Sequence, residues 1–256
     1  MSAILSYGAS VAGTSHIKTN LPCHDTHRLC DIQEGLGIIA CISDGMGSAK
    51  KAEVGSALAS ETLIDTLTDT LDFTSDDETI IKTIKEAYQS VHERLALEAA
   101  TTKEDISALN ATLMMFMHLE DGRQFTAQVG DCVAIGKATD DEKYEIIIEP
   151  QKGEYANQTY SICSRKSIES VEIKKLKTPY TAIAMMSDGI ESFTVNAKTK
   201  EVSKGFFDPF FNVFGKPAFD ESKVRDSLIR FLRSDRINKR TDDDKTLLLI
   251  HIPLND

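Results

Sequence analysis

The run Ile38-Ile-Ala-Cys-Ile-Ser-Asp-Gly-Met-Gly-Ser-Ala-Lys-Lys-Ala-Glu53 changes its pattern halfway along. Ile38 to Ile42 are apolar or small without a break, too short a run for a buried helix, and Gly35 and Gly37 lead into it. They read as a buried strand. From Ser48 onward Ala52, Gly55, Leu58, Ala59 and Leu63 fall on one face of a helical pattern. Between the two lie Ser43, Asp44 and a pair of glycines bracketing Met46. An aspartate at a strand end, beside glycines that let backbone come close, is placed to hold an ion. The same residues also make an ordinary strand-to-helix turn. One copy of the pattern does not choose between these readings.

The pattern recurs. Ala182 to Met186 is a second apolar run, and it too ends in Ser187-Asp188-Gly189. Phe125 to Val129 runs into Gly130 and Asp131, and the acidic Asp242-Asp243-Asp244 leads into the strand-like Thr246 to Ile252. Asp25 precedes the alternating segment Thr26 to Ile32. Acidic side chains therefore sit repeatedly where apolar strands begin or end. Carboxylates gathered in that way repel one another, and a shared polyvalent cation relieves the repulsion. Hard oxygen ligands without paired Cys or His spacing favour Mg²⁺ or Mn²⁺ over Zn²⁺.

Asp25, Asp44-Gly45-Met46-Gly47, Val129-Gly130-Asp131, Ser187-Asp188-Gly189 and Asp243-Asp244-Lys245-Thr246 stand in an order that resembles the protein phosphatase 2C (PPM) family. The likeness runs from about Gly8 to the C-terminus. Gly13-Thr14-Ser15-His16 with Pro22-Cys23-His24-Asp25 is similar to a bacterial branch of it. The resemblance implies an α+β fold, a four-layer α-β-β-α sandwich of two antiparallel sheets flanked by helices, with metals at one end of the sheets. It implies one catalytic domain over residues 1–256. The activity implied is metal-dependent hydrolysis of phosphoserine and phosphothreonine on proteins by a metal-activated water, opposing a bacterial Ser/Thr kinase. Mn²⁺ or Mg²⁺, two or three ions, is the implied cofactor.

By the same resemblance Asp44 bridges two ions and the Gly45 carbonyl assists. Asp188 and Asp244 complete one site, Asp25 acts through metal-bound water, and Asp131 with Asp188 holds a third ion. Thr112, in Asn110-Ala111-Thr112, takes a structural role. The family's pattern is broken in places. An Arg that grips phosphate usually lies five residues before the position of Asp25, where this chain has Asn20. Met46 follows Asp-Gly where many eukaryotic relatives carry His, and Lys245 replaces a frequent Asn. His16, Lys18 or His24 is left to supply the missing positive charge or proton, with His16 expected as acid and His16 and Lys18 as phosphate contacts. The segment Gly153 to Ser164 departs from the usual flap and is expected to shape substrate choice.

Composition sets the outer limits. The chain has 256 residues, 41% hydrophobic, enough for a sizeable core. Its net charge of −11 argues against general nucleic-acid or anionic-membrane binding. No apolar run reaches transmembrane length, and Met1 to Ala12 lacks the features of a signal peptide. Five scattered cysteines, odd in number and without Cys-x-x-Cys, read as reduced thiols of a cytoplasmic protein. A monomer is expected.

Along the chain, strands are predicted at Ile4 to Val11, Thr26 to Ile32, Leu36 to Ile42, Ala111 to Leu119, Arg123 to Val129, Cys132 to Lys137, Tyr144 to Ile148 and Val171 to Leu176. Helices are predicted from Ser48 to about Leu71, from Asp76 to about Ala100, and around Phe206 to Phe214 and Ser222 to Ser234. Gly13 to Asp25 reads as a polar loop. Three functions compete. The leading one is the metal-dependent phosphatase; the alternative is a catalytically weak pseudophosphatase acting as a regulatory binding module. A nuclease or small-phosphoester hydrolase is the third, and the acidic charge disfavours nucleic acid.

Overall fold

A computed structural model describes residues 3–139, 143–151, 160–215 and 219–253. In chain order the elements begin with β1 (Leu5–Val11), α1 (Thr14–Thr19), β2 (Thr26–Ile32) and β3 (Gly37–Ser43). Next come α2 (Ala52–Thr70), α3 (Asp77–Thr102), β4 (Leu113–His118), β5 (Gln124–Val129), β6 (Val133–Ala138) and β7 (Glu145–Ile148). They are followed by α4 (Arg165–Glu169), β8 (Glu172–Lys175), β9 (Tyr180–Met186) and α5 (Asp188–Thr194). Last are α6 (Lys204–Phe211), α7 (Glu221–Leu232), α8 (Asp235–Asn238) and β10 (Lys245–His251). The strands form two antiparallel five-stranded sheets, ordered β1-β10-β9-β6-β7 and β2-β3-β4-β5-β8. The chain divides into two compact units, each holding one sheet.

One unit spans His24–Cys132 and Pro150–Lys177. Its hairpin of β2 and β3 turns through Gln33–Gly35, with Glu34 at φ 57° and Gly35 at φ 84°. Helix α3 starts where Asp76 accepts the Thr79 N–H at 2.8 Å, with Asp77 and Glu78 in the first turn against the helix dipole. It buries Ile80, Ile84, Tyr88, Val91 and Leu95, a stripe at spacings of three and four. That stripe packs with Leu63 and Leu67 of α2 onto Ile39, Met115 and Ala127 of the sheet. Tyr88 adds direction, its hydroxyl donating to the Leu113 and Ala127 carbonyls at 3.2 and 3.0 Å. Each such buried side chain contributes about 1.5–3 kcal/mol of hydrophobic free energy.

The other unit spans Met1–Cys23, Val133–Glu149 and Thr178–Asp256. Tyr7, Val133, Ile135, Ala184, Met186, Leu247 and Leu249 project from its sheet onto Ile190, Phe207, Leu228 and Leu232 of the helices. The Tyr7 hydroxyl reaches the Phe210 carbonyl at 2.9 Å and so ties β1 to α6.

The predicted strands and longer helices are all present, shifted by a few residues at their ends. Ser48 to Lys51 form turns before α2 begins. The polar loop expected at Gly13 to Asp25 contains α1. Helices α4, α5 and α8, of five, seven and four residues, were not anticipated, because so short a helix offers less than two turns of periodicity. All five cysteines are free thiols, and Cys41, Cys132 and Cys163 are buried. Among the described residues no helix is long and apolar enough to cross a membrane. Of the segment Gly153 to Ser164 expected to shape substrate choice, residues 153–159 lie outside the described residues.

Candidate metal and phosphate site

Within the unit of β2 to β5, four strand ends place the acidic residues. In the β2–β3 register Thr26 faces Ser43, and one further step sets Asp25 opposite Asp44. Asp44 is held from the neighbouring strand. Its N–H donates to Thr112 Oγ1 at 2.9 Å, and its carbonyl accepts the Thr112 N–H at 2.8 Å. Thr112 is 2% exposed and also lies 3.4 Å from Cys132 Sγ. Its expected structural role is thereby specific: it fixes the backbone of Asp44. The Gly45 N–H donates to the His24 carbonyl at 3.2 Å, and Gly45 bridges to Ala111. Asp131 follows Gly130 at the end of β5 and is partly exposed. Asp25 is nearly buried, at 5% exposure. His24 Nε2 lies 3.8 Å from a Glu53 carboxylate oxygen.

Within the other unit, Asp244 stands just before β10 and is 3% exposed. The N-terminal stretch Gly13 to His16 wraps it. Gly13 donates its N–H to Asp244 Oδ1 at 2.7 Å, and His16 Nδ1 sits 2.9 Å from Oδ1 and 3.0 Å from Oδ2. An ionised carboxylate only accepts, so in this contact Nδ1 is the donor. Two glycines permit this closeness. A Cβ on Gly13 would come within 2.2 Å of the Asp242 carbonyl oxygen, and one on Gly189 within 1.9 Å of that of Asp244. Only glycine fits either place. Gly189 also brings the start of α5, and with it the exposed Asp188, against the Asp244 backbone.

Lys18 lies two residues beyond His16 on α1 and is exposed. At about 100° per residue the two side chains leave the helix on nearly opposite sides, so the helix does not aim both at one point. Asn20, standing where the family's phosphate-gripping Arg is expected, is the left-handed C-cap of α1, with φ 55° and its N–H on the Ile17 carbonyl. Asn tolerates that conformation better than Arg does. Lys245 is fully buried, its ammonium 3.0 Å from Asn238 Oδ1 of α8. Sequence reasoning missed how Thr112 and Gly13 hold the aspartates. Thr112 lies 68 residues from its partner and Gly13 231 from its own, so no local pattern announces either.

Comparison with known proteins bears on the chain as a whole. A family model described as Protein phosphatase 2C matches residues 12–233. Serine/threonine-protein phosphatase 3 of Escherichia coli (strain K12) is 28% identical over 251 residues, covering 94% of this chain and 95% of that protein. A solved bacterial serine phosphatase is 15% identical, covers 99% of each chain and superposes with a TM-score of 0.69. Serine/threonine phosphatase Stp1 from Staphylococcus aureus is 14% identical, with a TM-score of 0.66, over 99% of this chain and 96% of that one. At such identities the solved structures speak for the fold.

Proposed function

Since the chain belongs to the protein phosphatase 2C family, we propose that it hydrolyses phosphoserine and phosphothreonine on proteins, using Mn²⁺ or Mg²⁺ held by Asp25, Asp44, the Gly45 carbonyl, Asp131, Asp188 and Asp244. One observation carries the metal reading: Asp25, opposite Asp44 where the β2–β3 register is extended, is only 5% exposed. Burying an anion is costly unless charge or hydrogen bonds compensate it. A set of carboxylate and carbonyl oxygens suits a hard divalent cation. The residues present therefore fit the group.

When bound, such ions supply positive charge that acidifies water and neutralises the phosphoryl oxygens. The chain's own residues do the rest. Thr112 fixes the backbone of Asp44, and Gly13 with His16 fixes the orientation of Asp244, so these ligands need little rearrangement. His16, held by Asp244, is the candidate to give a proton to the departing serine or threonine oxygen. Exposed Lys18 attracts the anionic substrate rather than gripping its phosphate beside His16. The natural substrate is a phosphoprotein, a kinase or the target of one.

The test is hydrolysis of phosphothreonine, phosphoserine and phosphotyrosine peptides with Mn²⁺, with Mg²⁺ and with EDTA. Release from the first two that needs metal and falls at least about 100-fold in Asp44→Asn is the expected result. Near-normal turnover by a folded Asp44→Asn protein would refute the assignment. A second reading, the regulatory pseudophosphatase, is favoured by one observation, the helix-capping Asn20 in place of the phosphate-gripping Arg. Tight binding of divalent ions in a calorimetric titration speaks for the enzyme, since a scaffold has no need of them.

A further inference from the structure

On the helical side of the unit that carries β1 and β10, the end of α5 meets α6, α7 and α8 around a groove of about 430 Å³. Phe193, Phe206, Phe210 and Phe231 wall it, all of them half-buried. Phe231 packs edge-on against Phe206 and Phe210, with ring centres 5.8 and 5.2 Å apart, so the wall is set by aromatic packing. Two arginines stand on the rim. The Arg240 guanidinium lies 4.2 Å from the centre of the Phe193 ring and is anchored on the Ser192 carbonyl. Arg236 is exposed, and among the described residues neither arginine forms an ion pair. Guanidinium groups without a carboxylate partner among the described residues are conspicuous on a chain of net charge −11.

Pro209 and Gly205 of α6 also line the groove, and Pro209 has no N–H to give the Gly205 carbonyl four residues earlier. An aromatic slot with a cationic rim is complementary to one kind of occupant. We propose that this groove docks an acidic peptide segment of a partner protein, with one large apolar side chain inserted among the phenylalanines. Carboxylates of the segment pair with Arg236 and Arg240. Phe193 follows Asp188 by five residues on α5, a rise of about 7.5 Å. A phosphoprotein docked there is tethered close to Asp188. Docking is independent of the phosphatase reading; only its consequence for substrate choice rests on that reading.

The experiment measures fluorescence anisotropy of a short labelled peptide with Phe amid Asp and Glu, titrated with the full chain. Comparison peptides replace the Phe by Ala, or the acids by Lys. Arg236→Glu with Arg240→Glu tests the rim. Gly205→Trp tests the slot, because a Cβ at Gly205 meets nothing within 4 Å and the ring can fill the groove without disturbing the core. Expected are binding tighter than about 1 mM, weakening of about tenfold or more in each variant and with each comparison peptide, and unchanged hydrolysis of p-nitrophenyl phosphate. Binding that ignores the Phe, or that survives both variants while circular dichroism shows them folded, overturns the proposal. So does the lack of any binding. Loss of p-nitrophenyl phosphate hydrolysis in the unaltered chain would sink the phosphatase reading and leave the docking result standing.

Discussion

Thr112 shows how much of the position of Asp44, the proposed metal ligand, can reside in a residue that does no chemistry. Its hydroxyl accepts the Asp44 N–H at 2.9 Å, and its own N–H returns a bond to the Asp44 carbonyl at 2.8 Å. Thr112→Val keeps the side chain's shape and removes the acceptor, leaving a half-buried N–H without that partner. The expected cost is about 1–3 kcal/mol of stability. Activity should fall further than stability alone explains, by about 10–100-fold in kcat, because a ligand's supporting bond is lost. Thermal unfolding together with kcat at saturating Mn²⁺ checks both, and unchanged kcat in the destabilised variant would assign Thr112 to folding alone. His16 differs in kind. Its bond to Asp244 spans 228 residues, and a chain read locally shows it only as a histidine after a Gly-Thr-Ser.

Among the elements, the sheet of β2 to β5 was legible because its hairpins are local and its apolar runs are unbroken. Ile38 to Ile42 and Phe125 to Val129 end on turn residues, so both strand and boundary could be read. Helix α5 was not, since Asp188 and Gly189 look alike whether they open a helix or a loop. What the sequence could not give was partnership across strands, as His118 and Gln124 illustrate. They face each other in the β4–β5 register, and the Gln124 amide stands 3.3 Å from His118 Nδ1. An amide nitrogen donates, which keeps that ring neutral with its proton on Nε2. Burial is the main reason the His118 pKa falls from 6.5 to about 4, partly opposed by Asp121. The folded chain therefore resists protonation that the unfolded chain accepts. Stability is full above pH 6.5 and declines as the pH falls toward 4, by at most about 3 kcal/mol. Urea unfolding at about pH 7 and about pH 4.5 measures it, and His118→Leu should flatten the difference. Parallel losses in the two proteins would place the acid sensitivity elsewhere.

For the whole molecule, a net charge of −11 has two consequences that salt and metal separate. General self-repulsion is relieved by any electrolyte, through screening over about 10 Å at 0.1 M. Repulsion between Asp25 and Asp44, set opposite each other where the β2–β3 register is extended by one step, would be relieved instead by the proposed cation on their oxygens. Mn²⁺ at about a hundred times its dissociation constant should add about 2.7 kcal/mol. For a chain of this size that is a rise of about 5–10 °C in Tm. Sodium chloride at matched ionic strength should give only a small part of it. Asp44→Asn separates the two effects by moving them in opposite directions. Removing one of two facing charges raises, or leaves unchanged, the Tm of the metal-free protein, while the response to Mn²⁺ shrinks or disappears. A residue kept for stability behaves the other way, since its loss lowers the metal-free Tm. Scanning calorimetry of both proteins, with and without Mn²⁺, therefore tells a ligand from a turn residue without any assay of catalysis. If Asp44→Asn melts lower in EDTA and still gains the full increment with Mn²⁺, Asp44 is part of the turn and the metal sits elsewhere.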